Sequence, residues 1–238
     1  GEYSMIIGSF FESNSAEWGG AIMIEGQDSM IIGSYFESNS ADYGGAIYSS
    51  IISTGLQFLS SSTKLQSSIQ NPTIDDCTFI NNSATNMGGA IYSSEDIGIA
   101  NSNFKGNNAT VGGAIYTPNA TQIDNSDFIA NDAINGGSLF ASAADVSNSN
   151  FINNTAFDGP AIDCDKLTID NCLFEGNNAK TYGIVYTVNA TIKDSEFKDN
   201  SALNNVEIYS LNNLDLINTK ISDNNYVIAN STQIFLSN

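Results

Sequence analysis

Apolar residues in this chain fall in short runs that return at a near-constant interval, and the polar residues between them keep the same period. One column holds Phe11, Phe36, Phe79, Phe104, Phe128, Phe151, Phe174 and Phe197, with Ile221 in the ninth place. The gaps between them are 25, 43, 25, 24, 23, 23, 23 and 24 residues. Five residues before each anchor stands an aliphatic side chain: Ile6, Ile31, Ile74, Ile99, Ile123, Val146, Ile169, Ile192 and Leu216. A third run surrounds Ile22, Ile47, Ile91, Ile115, Leu139, Ile162, Val185 and Ile208. Each run is a few residues long and rich in β-branched or aromatic types, which suits short strands and is too short for helices. A fixed period of this size marks a solenoid, whose repeats bury their apolar faces only by stacking. Short strands alternating with polar bends predict an all-β, right-handed parallel β-helix, the hand following from the twist of the strands. Counting partial coils gives about ten coils of about 24 residues, and a rod roughly 48 Å long at the usual strand spacing.

The polar columns are as regular. An asparagine follows every anchor by three residues: Asn14, Asn39, Asn82, Asn107, Asn131, Asn154, Asn177, Asn200 and Asn224. Asparagine tolerates left-handed backbone angles, and its amide both donates and accepts. Stacked at one bend, these side chains are expected to form a structural ladder that satisfies the backbone groups of the turn. Two residues before the anchors stand small hydroxyl or thiol residues such as Ser9, Cys77, Ser102, Ser126, Cys172 and Thr219. The cysteines Cys77 and Cys172 lie four coils apart, too far to bridge. Cys164 and Cys172 share a coil and admit a disulfide, but buried serine-like thiols are the favoured reading.

After the ladder comes Gly-Gly-Ala-Ile, and one residue past its isoleucine stand Tyr48, Tyr92, Tyr116, Phe140, Asp163, Tyr186 and Tyr209. Asp163 lies in this column and Glu207 in the alanine column two residues earlier. Residues two apart on a strand share a face, and charges are rarely buried. The isoleucines are therefore expected to point inward and the rings outward. Tyr48, Tyr92, Tyr116, Phe140, Tyr186 and Tyr209 are the candidate ligand- or partner-binding row. Its alternative reading is cross-strand stacking that only stabilises the sheet.

The formal net charge of −19, with no arginine and no histidine, leaves no basic stripe for nucleic acid and disfavours anionic membrane surfaces. No stretch is apolar enough to span a membrane as a helix, so direct membrane insertion is not expected. The unbroken period makes 1–238 a single β-helix segment. Because the repeat runs to both ends without a cap, the segment is read as part of a longer protein. The one long gap holds a Ser-rich insertion, 51–72, expected to be a loop on one face.

FINNSATNMGGAI (79–91) and FKGNNATVGGAI (104–115) are the cleanest instances of the double phrase. Phe-x-x-Asn alternating with Gly-Gly-Ala-Ile resembles the repeat of the chlamydial polymorphic outer-membrane proteins and of adhesin-like surface proteins of the β-helix class. That resemblance implies a secreted or cell-surface rod that attaches cells to surfaces, hosts or neighbours.

Catalysis is not expected. Carbohydrate-active β-helix enzymes resemble this chain in fold, yet their sites typically use Arg, Lys or His with calcium or several Asp residues. Here the acidic pairs are Asp75 with Asp76 and Asp163 with Asp165. Asp76 sits in a bend column otherwise filled by Asn101, Asn125, Asn148 and Asn171, which assigns it a turn role. No cofactor is expected, and no calcium-loop spacing appears, although clustered carboxylates leave structural calcium as a minor option. The expected function is an extracellular or cell-surface adhesive rod, non-catalytic, whose partner is a cell-surface protein or glycan. The alternative is a subunit that assembles with copies of itself into a fibre or sheath, and a polysaccharide-active enzyme is the minor one.

Overall fold

The computed structural model describes residues 4–25, 29–50, 73–203, 206–222, 227–230 and 233–237. All strand pairing among them is parallel, and it links each strand to its equivalent one coil away. The anchor sheet has nine strands, from Phe10–Glu12 to Lys220–Ser222, with every anchor opposite the next. A second sheet of 14 strands joins the aliphatic and tyrosine runs, which fuse into single strands from Ile115–Asp124 to Val206–Ile217. Two smaller sheets, of two and three strands, follow the asparagines. The result is a parallel β-solenoid of about eight turns with about 24 residues per coil, fewer than the ten predicted. The higher count treats terminal partial coils as whole ones, whereas nine stacked anchor strands enclose only eight complete turns.

The long gap adds no turn. Phe36 pairs directly with Phe79, and their rings lie 4.8 Å apart. The insertion 51–72 itself lies outside the described residues.

The interior is a column of rings. From Phe11 to Phe197 neighbouring anchors stack with centroids 4.3–5.1 Å apart and planes within 6°. Phe36 through Phe197 are fully buried, facing aliphatic residues such as Ile74 and Ile123. Each buried ring contributes roughly 1.5–3 kcal/mol.

Three-residue anchor strands are short because a left-handed residue brackets each end. Upstream stand Gly8, Gly33, Asp76, Asn101, Asn125, Asn148, Asn171, Asp194 and Asn218, with φ between 46° and 57°. Downstream stand Ser13, Ser38, Asn81, Gly106, Ala130, Asn153, Gly176 and Asp199. The turn role of Asp76 follows directly. The ladder asparagines, however, do not adopt the left-handed angle; the residue before each one does. Their selection rests on the amide alone.

That amide is fully used. Asn107 Nδ2 donates to Asn131 Oδ1 at 3.0 Å and to the Phe79 carbonyl at 3.1 Å, while the Asn107 backbone N–H donates to the same Asn131 oxygen at 3.0 Å. The pattern runs from Asn14 to Asn200. Asn39 through Asn177 are completely buried; Asn224 lies outside the described residues. A parallel ladder runs through the hydroxyl and thiol column. The Cys77 N–H donates to Ser102 Oγ at 3.1 Å, and that hydroxyl donates to the Ala100 carbonyl at 2.7 Å. Cys77 Sγ fills the same place for Ser34. All three cysteines are free and buried, so Cys164 and Cys172 are not bridged.

Gly-Gly marks the tightest corner. Gly112 has φ +64°, and a Cβ on Gly113 would lie 2.1 Å from the Gly137 carbonyl oxygen of the next coil. Only glycine allows both the turn and that approach.

Candidate functional site

The segment after Gly-Gly enters its strand through a local irregularity. The backbone N–H groups of Ala46 and Ile47 both donate to the Ala90 carbonyl, each at 2.9 Å, and the next coil repeats the pattern on Ala114. Two successive residues therefore face inward, Ala46 at 0% and Ile47 at 1% exposure. Alternation resumes only afterwards, so Tyr48 faces outward while Ser49 is buried.

This corrects one step of the sequence reasoning. Glu207 in the alanine column is buried, at 3% exposure, although the parity argument places it outside. The tyrosines do face outward, but for another reason: two successive residues face inward before them, as Glu207 and Ile208 do at 3% and 0% exposure. Burial pushes the Glu207 carboxyl up to about 7, and its Oε2 has no hydrogen-bond partner.

The outer row is continuous over two stretches. Tyr48 and Tyr92 stack at 4.8 Å, Tyr92 and Tyr116 at 5.3 Å, and Tyr116 and Phe140 at 5.5 Å. Beyond Asp163, Tyr186 and Tyr209 stack at 5.3 Å with planes 2° apart. All six rings are half-buried. Because they stack along the rod, their faces cover one another and their edges meet solvent.

A second aromatic column escaped the sequence reading. Trp18 and Tyr43 stack at 4.5 Å, and Trp18 meets Tyr48 edge-on at 4.9 Å. Tyr43 meets Tyr92 in the same way at 5.9 Å. At the other end Tyr182 tilts against Tyr209 at 4.8 Å. The signal for the first two is the residue directly before Gly-Gly, aromatic in both opening coils.

Asp163 is the one carboxylate in the described part of the row. It is half-buried and pushed up to about 7, by burial first and then by Asp158 and Asp165. Asp165 is exposed. In the other acidic pair, Asp75 accepts a hydrogen bond from Asn101 Nδ2 at 2.7 Å and Asp76 occupies the left-handed bend. A separate groove of about 670 Å³, lined by Thr73, Asp96, Gln122, Asp145, Lys166 and Thr168 among others, runs along the outer face and holds none of the expected site residues.

The architecture defines a class: a parallel β-solenoid whose coils are built on Phe-x-x-Asn and Gly-Gly-Ala-Ile. Residues 33–50 and 76–94 match the family described as the Chlamydia polymorphic membrane protein (Chlamydia_PMP) repeat. Those two stretches carry that type of repeat, as the resemblance in the sequence implies. No curated protein and no solved structure matches it.

Proposed function

We propose that this chain is a stiff, non-catalytic rod at the cell surface that attaches cells to a partner through its outer aromatic face. The observation that carries this reading is how the repeat divides its residues. The anchor rings, ladder asparagines and glycine corners are spent on the interior and on contacts between coils. Among the described residues, the outward row and its flanking aromatics form the aromatic surface left for recognition. The matched repeat, which takes its name from membrane proteins, supports a surface-exposed location. Edge-on rings offer tyrosine hydroxyls and ring edges, a surface better suited to a protein than to a sugar stacking on ring faces.

The test is attachment of protein-coated fluorescent beads to cultured cells, comparing wild type with the triple variant Tyr92→Ser, Tyr116→Ser, Tyr186→Ser. A severalfold loss, with the circular dichroism spectrum unchanged, is expected. Equal attachment by a folded variant would leave the row a purely structural stack. Sedimentation across a concentration series separates the fibre reading, which requires polymers without any outside partner.

A further inference from the structure

Between Tyr48 and Tyr209 the outward row lacks a ring at one position, and its ends carry Met23 and Asn230. Phe140, Asp163 and Tyr186 are directly paired on three successive coils, so Asp163 stands where an aromatic side chain stands elsewhere. Rings in the unbroken stretches lie 4.8–5.5 Å apart. Omitting one leaves Phe140 and Tyr186 about 10 Å apart, twice the strand spacing. That distance admits one planar group in contact with both faces, at roughly 3.5–4 Å from each wall. These two faces lack the neighbour that covers their equivalents along the row.

The floor of this notch is chemically specific. Asp163 has neither a hydrogen bond nor a counter-charge among the described residues, and it is partly desolvated. The charged or titratable groups that interact with it are Asp158, Asp165, Cys164 and Tyr186. None is basic. Asp158 is already engaged, its Oδ1 accepting from the Thr181 hydroxyl and from the Tyr182 N–H. Asp163 is thus the carboxylate free to meet a ligand between the rings.

We propose that this notch recognises the guanidinium group of an arginine on a basic partner protein. A guanidinium is planar, permanently charged, stacks on aromatic faces and forks onto a carboxylate. An ammonium supplies the charge but not the plane. A neutral ring or sugar would bury the Asp163 carboxylate without compensation. With no arginine in the sequence and a net charge of −19, the guanidinium comes from outside these residues, and the field of the rod draws a basic partner. The proposal rests on the surface-contact reading and names the chemistry of the partner.

The experiment titrates the capped peptide Ac-Gly-Arg-Gly-NH2 into isotope-labelled protein at pH 8, with the lysine and citrulline peptides beside it. Saturable shifts of the Phe140 and Tyr186 ring resonances are expected with arginine. Binding of the citrulline peptide is expected to be about tenfold weaker or more, since it keeps the plane and loses the charge. The lysine peptide falls between. Asp163→Asn is expected to abolish the arginine preference. Asp163→Tyr completes the ring column, keeps the fold and closes the notch. Equal response to arginine and citrulline, an unchanged preference in Asp163→Asn, or no response at all would overturn the assignment. Arginine binding by a protein that fails the bead assay would sink surface attachment and leave the notch standing; the reverse pattern would do the opposite.

Discussion

Replacing Asn131 by leucine tests the ladder at its centre. The side chain is completely buried and makes four hydrogen bonds. Its Oδ1 accepts from the Asn107 N–H and from Asn107 Nδ2, each at 3.0 Å. Its Nδ2 donates to Asn154 Oδ1 at 3.1 Å and to the Phe104 carbonyl at 3.0 Å. Leucine is similar in size, so the cavity term is small. Asn107 Nδ2 keeps the Phe79 carbonyl, and Asn154 Oδ1 keeps the Asn131 N–H. The Asn107 N–H loses its side-chain acceptor, and leaving a buried donor unmade costs about 1–3 kcal/mol. The three other lost bonds add about 0.5–1.5 kcal/mol each, and added apolar burial returns about 1–2 kcal/mol. At the middle of these ranges the net loss is about 3.5 kcal/mol, or roughly 7–14 °C in melting temperature for a chain of this size. Urea unfolding followed by far-ultraviolet circular dichroism gives the free energy, and thermal melting gives the shift. A variant melting within a degree of wild type would refute the ladder as a source of stability, because no compensating contact could replace four bonds inside the stack.

Two further outcomes follow from the same structure. Gly113→Ala drives a Cβ to 2.1 Å from the Gly137 carbonyl and 2.5 Å from that of Asp132, both backbone atoms, so severe destabilisation is expected. Gly98→Ala meets nothing closer than Thr73 Oγ1 at 3.9 Å, so stability unchanged or raised by about 0.5 kcal/mol is expected; comparable losses in the two melts would discredit the steric reasoning. The pH dependence follows from the two carboxyls that burial raises. Asp163 and Glu207 are raised to about 7 in the fold, from ordinary values of 3.8 and 4.5. The unfolded chain therefore releases these protons first as pH rises, and stability falls between about pH 4 and 7 by an amount on the order of 3 kcal/mol per group. Melting curves from pH 8 down to pH 5 are expected to climb, and Glu207→Gln to flatten part of the climb. A melting temperature that falls over this range would contradict the assigned burial.

Much of the molecule is legible in its sequence, because a solenoid repeats one local problem. The column from Phe11 to Phe197 names the internal stack directly, and the asparagine column names the ladder. Outward placement of Tyr92 and Tyr116 is readable too, although the parity used to reach it fails at Glu207. That failure has a local cause, two successive residues facing inward before the row, Glu207 with Ile208 as Ala46 with Ile47, which no apolar pattern records. The left-handed residue stands one position before the ladder asparagine, since asparagine suits both roles and only the backbone angles separate Asn81 from Asn82. Trp18 and Tyr43 make no chain-long aromatic column, because it turns to Met87 and Val111 in the following coils.

What the sequence by itself determined is the period, the strands and the identity of the stacked columns. Side chains alternate along a strand, and like residues at a constant interval bury each other only by stacking in parallel. Tertiary structure decided everything that depends on a neighbour 23 to 25 residues away. It settled how many turns close, that the long gap adds none, and that Glu207 lies inside. Above all it decided that the row turns ring faces toward one another and ring edges outward, which makes the lone Asp163 a slot between two faces and not merely an irregular letter in a repeat. The reason is physical: burial, ring orientation and hydrogen-bond closure are properties of the space between coils, and that space exists only once the chain has wound.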